Sequence, residues 1–173
     1  VYAFKGDVYS GLNAETIEEE KFDYLQNSLR IISGYYGILR PFDKILPYRL
    51  EMGTKLENEN GNNLYKFWGD KITDLLNADI EDHELVVNLA SDEYFKSLNK
   101  NKVNAKIVTP VFKEFKNGTY KVIAIYAKKA RGLMSRFLID RKSNNIDDIK
   151  HFDTDGYSFD DSLSTENELV FTR

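Results

Sequence analysis

Along this chain apolar residues recur with two periods, near 3.6 and 2, and the switches between them mark its elements. Residues 1–9, VYAFKGDVY, mix β-branched and aromatic side chains as a strand would, with Gly6 and Gly11 as punctuation. Residues 15–30 set Ile17, Phe22, Leu25 and Leu29 at near-helical spacing, with Glu18, Glu19 and Glu20 in the first turns, where the helix dipole favours acids. That predicts an amphipathic helix, followed by a short buried strand over residues 29–33, LRIIS. Residues 34–53 then interrupt any period with three Gly, two Pro and four aromatics, predicting an ordered aromatic-rich loop that ends in a short strand at 48–52.

Past the polar turn ENENGNN, residues 64–76 predict a second helix, on which Trp68 reads as core packing. ELVVNLAS from Glu84 is a second buried strand running into the helix-like SDEYFKSL, where Ser91 followed by Asp92 and Glu93 has the pattern of an N-cap. Two β-rich runs, 106–115 and 119–126, flank Lys116-Asn117-Gly118, and Asn-Gly is a strong hairpin signal. From Tyr126 the period becomes helical. At 100° per residue Ala130, Leu133, Met134 and Phe137 share an arc of about 100°, while Lys128, Lys129, Arg131 and Arg136 fall outside it on the solvent side. A helix at 145–151 and a strand at 168–172 complete the pattern. The expected fold class is α/β (mixed α+β), a mixed sheet with interleaved helices and one β-hairpin, in a single domain over residues 1–173.

Composition narrows the function classes. With 42% hydrophobic residues in 173, the chain buries a sizeable core and is not a disordered segment. It has no cysteine, which removes disulfides, thiolate metal sites and Cys nucleophiles together. No apolar run approaches the roughly 20 residues of a membrane span and residues 1–9 do not resemble a signal peptide, so a cytoplasmic protein is expected. The chain opens without Met, and sequence N-terminal to it is expected.

A net charge of −4 argues against a protein that coats nucleic acid indiscriminately. The charge is nevertheless segregated. Residues 126–142 hold six basic residues against one acid, a local +5 that leaves −9 for the remainder. Lys128, Lys129 and Arg131, placed in the first turn of a helix beside Gly132, would oppose the helix dipole unless something anionic sat there, and free N–H groups at a helix start supply such an anion site. The plain alternative is a solvated basic face paired with the chain's own acids. Lys5-Gly6-Asp7 adds a cation, a Gly turn and a carboxylate. Arg40 and Arg49 set guanidinium groups among aromatics that stack on bases, notably Tyr36 and Tyr48. Asp7, Glu51 and Asp92 are acid–base candidates with nothing to pair them. Asn88, a polar amide ending a buried strand, needs partners and is a candidate for lining a cleft with Asp7, Tyr36, Tyr48 and Glu51.

Metal and cofactor signals are weak, and none is expected. His83 and His151 fall in no H-x-x-x-H or H-x-H pattern. The run from His151 to Gly156 resembles the start of a calcium loop but puts His at the first ligand position and Ser162 at the twelfth. Phosphate-loop, dinucleotide and nucleophile-elbow fingerprints are missing from the sequence.

Taken in order, FKGDVYSGL, LRIISGYYGILRPFDKILPYRLEMG, LYKFWGDKI, NLASDEYFKS, PVFKE and YAKKARGLMSRF resemble the peroxide-stress protein YaaA family, formerly a family of unknown function, over essentially the whole chain. The resemblance implies that the chain corresponds to about the C-terminal two-thirds of a family member. It also implies an unusual α/β fold with a helix-hairpin-helix element, expected in the preceding segment. The implied function is that of a bacterial cytoplasmic protein that limits intracellular iron under hydrogen peroxide and binds DNA through a positively charged cleft. The cations inside matching motifs are Lys5, Arg40, Arg49, Lys128, Lys129 and Arg131. The leading expectation is therefore a DNA-binding stress protein, with enzymatic activity left open. It grips duplex phosphates through these residues and Arg136, with Tyr35, Tyr36 or Tyr48 against bases or sugars. One alternative is an enzyme acting on a nucleotide or other anionic small molecule, with Asp7, Asn88 and Lys128 around one pocket. Another is an interaction domain whose basic patch meets an acidic protein.

Overall fold

The computed structural model describes residues 1–80 and 84–173, so His83 lies outside the described residues. In chain order the α-helices are α1 (Asp7–Leu12), α2 (Phe22–Ser28), α3 (Leu64–Trp68), α4 (Lys71–Asp79), α5 (Asp92–Phe95), α6 (Ala124–Arg141) and α7 (Ile146–Lys150). The strands are β1 (Ile31–Ser33), β2 (Gly37–Leu39), β3 (Leu85–Val87), β4 (Lys106–Lys116), β5 (Thr119–Lys121), β6 (Ser158–Phe159) and β7 (Glu168–Thr172). Helices and strands interleave, and the larger sheet joins parallel and antiparallel pairs, which makes the fold mixed α/β. The chain divides into two compact units, one of Val1 with residues 26–84 and 90–106, the other of residues 2–25, 85–89 and 107–173.

The second unit is built on a sheet of order β3-β4-β7-β6, with β5 hairpinned onto β4. β4 and β7 run parallel, Val111 opposite Val170, and β6 returns antiparallel to β7. Along β4 Val108, Pro110 and Phe112 are buried while their neighbours are only half-buried, the period-2 pattern of a sheet with one face on a core. Phe112, Phe152, Tyr157 and Phe171 pack ring to ring on that face, with centroids between 5.3 and 6.4 Å, and Met134 and Phe137 of α6 close over them. The Asn-Gly hairpin forms as the sequence predicts, both turn residues taking positive φ (Asn117 55°, Gly118 78°). Its second strand stops at Lys121, however, and α6 begins at Ala124.

Helix α6 buries two sides. Ala127, Ala130, Met134 and Phe137 belong to the sheet core, while Gly132 meets α1, so the helix is less simply amphipathic than one apolar arc predicts. This pairing explains why residues 1–9 are not a strand. Gly6 takes a φ of 117°, a conformation open to glycine, and Asp7 then starts α1 with an acid in its first turn. Residues 15–30 also differ from the single expected helix. Ile17 and Glu18 are extended (ψ 127° and 143°) between two 3₁₀ turns, because Ile17 is drawn into the interior, and only α2 is α-helical.

In the first unit the expected strand over 29–33 is β1, and the aromatic loop begins as its partner: β1 and β2 form an antiparallel hairpin with Ile31 opposite Leu39. Residues 48–52 are not a strand. Their chain passes so close to the hairpin turn that a Cβ on Gly34 would sit 2.5 Å from the Leu50 carbonyl oxygen. The helix predicted over 64–76 breaks into α3 and α4 at Gly69, whose φ of 51° ends α3. Trp68 is half-buried: it packs on Gly37 and donates its indole N–H to the Gly34 carbonyl at 3.0 Å, a packing role at the edge of the core. Ser91 does precede α5, but its hydroxyl makes no capping bond.

Candidate functional site

The cations of α6 stand on a helix gripped from two sides, which fixes their backbone. Lys128 and Lys129 are exposed. Lys128 has no ion pair among the described residues, and Lys129 has one long contact, 3.7 Å to Asp155. Arg131 is half-buried. Arg136 is committed within the unit: its guanidinium donates to Asp140 at 2.7 Å, to the Asn13 carbonyl at 3.2 Å and to the Thr16 carbonyl at 3.1 Å. The first turn of α6 is Ala124, Ile125 and Tyr126, so the lysines lie beyond it and the expected clash with the dipole does not arise. Gly132 is likewise mid-helix against α1, not at a strand-to-helix turn.

Beside the start of α6 lies a shallow cleft of about 370 Å³, lined by Asp7, Ser10, Ile125, Tyr126, Lys129, Asp155 and Arg173. Two carboxylates and two cations share its wall, so it is mixed in charge. Arg173 organises one side. Its Nε donates to Glu114 Oε2 at 2.8 Å, one terminal nitrogen donates to Asp155 Oδ2 at 2.7 Å, and its plane lies over Tyr157 and Tyr126, 4.6 and 5.1 Å from the ring centroids. Tyr157 donates its hydroxyl to Glu114, and burial together with that carboxylate pushes the phenol well above the ordinary tyrosine range. Sequence reasoning missed Arg173, Glu114 and Tyr157, because they converge from β4, the 154–156 turn and the end of β7 with no local spacing to betray them. Asp155, read as part of a failed calcium loop, faces Arg173 and Lys129.

Lys5 is exposed and precedes Asp7 by the Gly6 turn. Asn88 is buried, its backbone N–H bonded to the Val108 carbonyl at 2.8 Å and its amide to Thr109 Oγ1 at 3.3 Å. Neither Asn88 nor Lys128 lines the cleft that holds Asp7, so the structure does not gather those three around it.

The remaining candidates belong to the first unit. Arg40 bonds Asp79 Oδ1 at 2.7 Å and Arg30 bonds Oδ2 at 2.8 Å. Partial burial raises the Asp79 carboxyl, but the two guanidiniums outweigh it and hold the group below the usual carboxylate range. Arg49 and Glu51 are exposed. The Tyr48 hydroxyl lies 2.6 Å from Ser33 Oγ, and the Tyr36 hydroxyl accepts from the Leu46 N–H at 2.9 Å, so both fasten the loop. Tyr35 packs edge-on to Tyr36 and stays 59% exposed.

These features define a mixed α/β protein that presents lysines on a doubly packed helix. The family model for peroxide stress protein YaaA matches residues 1–163, and the chain belongs to that family. It is 57% and 56% identical to UPF0246 proteins of Aliivibrio fischeri strains MJ11 and ES114, and 54% identical to one of Idiomarina loihiensis. Each alignment covers all of this chain and 68% of the relative. Family membership supports a role in peroxide stress. Among the described residues no helix is long and apolar enough to cross a membrane.

Proposed function

We propose that this chain is a DNA-binding component of the bacterial peroxide response, acting in the cytoplasm and holding duplex phosphates on the exposed lysines of α6. The observation that carries the reading is Lys128, exposed and without an ion pair among the described residues on a helix fixed by α1 and the sheet, next to the loosely paired Lys129. Lys5, exposed before α1, adds a third cation in the same unit. Family membership supports the peroxide setting. Limitation of iron then acts through DNA, in keeping with a chain that has no cysteine.

Three lysine–phosphate contacts give a log–log salt slope near −2.7. Fluorescence anisotropy of a labelled duplex at several salt concentrations tests this: a linear slope of about that size supports the reading, and a salt-independent or undetectable signal removes it.

The charge-mixed cleft beside Asp7 favours a second reading, a small anionic ligand held between Lys129 and Arg173. A thermal-shift screen with nucleotides separates the two. Stabilisation by a mononucleotide that competes with duplex would favour the cleft.

A further inference from the structure

We propose that the β4–β5 hairpin is a stacking element for single-stranded nucleic acid, a second contact surface independent of the α6 lysines. The hairpin outruns its sheet: β7 pairs with β4 as far as Lys113 opposite Thr172, a last backbone bond runs from the Phe115 N–H to the Arg173 carbonyl at 2.8 Å, and every residue of β5 is exposed. Beyond Lys113, Phe115 and Tyr120 sit directly opposite each other, ring centroids 5.2 Å apart at 64°, yet they remain 61% and 41% exposed. Large aromatics are normally buried by the core they stabilise, and this pair has no core to serve.

The surrounding charge says what the rings face. Lys113 shares their side of β4 by strand alternation, and Lys116 and Lys121, both exposed, lie on the other side of the same two-stranded ribbon. None of the three has an ion pair among the described residues. The one acid of the hairpin, Glu114, is held by Arg173 and Tyr157. An acidic peptide would satisfy the lysines and leave both rings in water. A strand with unpaired bases satisfies both, phosphates on the ammonium groups and base faces on Phe115 and Tyr120. A duplex keeps its base faces stacked inside and gains nothing from the rings.

The test titrates labelled oligo(dT) and a labelled duplex with the wild-type chain and with the Phe115→Ala/Tyr120→Ala variant, far-UV circular dichroism confirming the fold. Stacking lost at two rings lowers oligo(dT) affinity by about 10-fold or more while duplex affinity stays within about twofold. A Phe115→Trp variant gives a second readout, in which oligo(dT) quenches the new indole. Failure of oligo(dT) to bind, equal losses on both DNAs, or absence of quenching overturns the proposal. So does a dimer in sedimentation that the alanine variant abolishes. Duplex binding without oligo(dT) binding sinks this inference alone, and the converse sinks the α6 reading alone.

Discussion

Gly11 of α1 and Gly132 of α6 touch backbone to backbone, so close that a Cβ on Gly132 would lie 2.9 Å from the Gly11 Cα and overlap the Val8 carbonyl oxygen. Helix propensity alone makes Gly132→Ala stabilising by about 1 kcal/mol, whereas overpacking against a backbone that cannot retreat costs about 3 kcal/mol. The packing effect wins. Urea denaturation of Gly132→Ala is expected to show a net loss of about 2 kcal/mol, and an unchanged or higher midpoint would mean that the two helices do not pack this tightly.

Arg136 bonds Asp140, Asn13 and Thr16, which ties α6 to the turn after α1. Arg136→Gln is expected to lower stability by about 1–2 kcal/mol while changing duplex affinity less than twofold. Parallel denaturation and anisotropy measurements separate this positioning role from a phosphate contact.

Acid sensitivity of the first unit follows from Asp79. Its carboxyl titrates lower in the folded chain than in the unfolded chain, because Arg40 and Arg30 outweigh partial burial. The stability it contributes is therefore present above about pH 4 and is lost as pH falls through the depressed folded value. The single Trp68 reports on this unit. Denaturation midpoints followed by its fluorescence should fall below pH 4 in the wild type and fall less in Asp79→Asn.

Ser33 is fully buried and its Oγ receives the Tyr35 and Tyr36 N–H groups at 3.2 and 2.9 Å. With both lone pairs in use, its own proton is donated to Tyr48. Tyr48→Phe strands that donor and is expected to cost about 1–3 kcal/mol, with Ser33→Ala/Tyr48→Phe recovering part of the loss in a double-mutant cycle.

The strongest local signals in the sequence carried through. Asn117-Gly118 marks the hairpin, Glu168–Thr172 is the terminal strand, and Trp68, half-buried, packs on the β1–β2 hairpin. Tertiary contacts overrode the weaker ones. The apolar mixture at residues 1–9 reads as a strand until the Gly11–Gly132 contact is known, since that contact joins positions 121 residues apart. The apolar arc of α6 does face the sheet core, but its second packed side, Gly132 against α1, stays hidden in the sequence for the same reason. The surface lysines of the site were legible as a local charge excess, whereas the Arg173–Glu114–Tyr157 cluster needed the sheet register to appear. Partners decided what charge density could not: Arg136 is as basic as Lys128 but is held inside the unit.

The most direct measurement is the salt slope of duplex binding for the wild type against Lys128→Glu/Lys129→Glu. If these lysines hold phosphates, affinity falls on all duplex sequences alike and the slope shrinks by about 2. A variant that keeps the wild-type slope and affinity would contradict phosphate binding on α6.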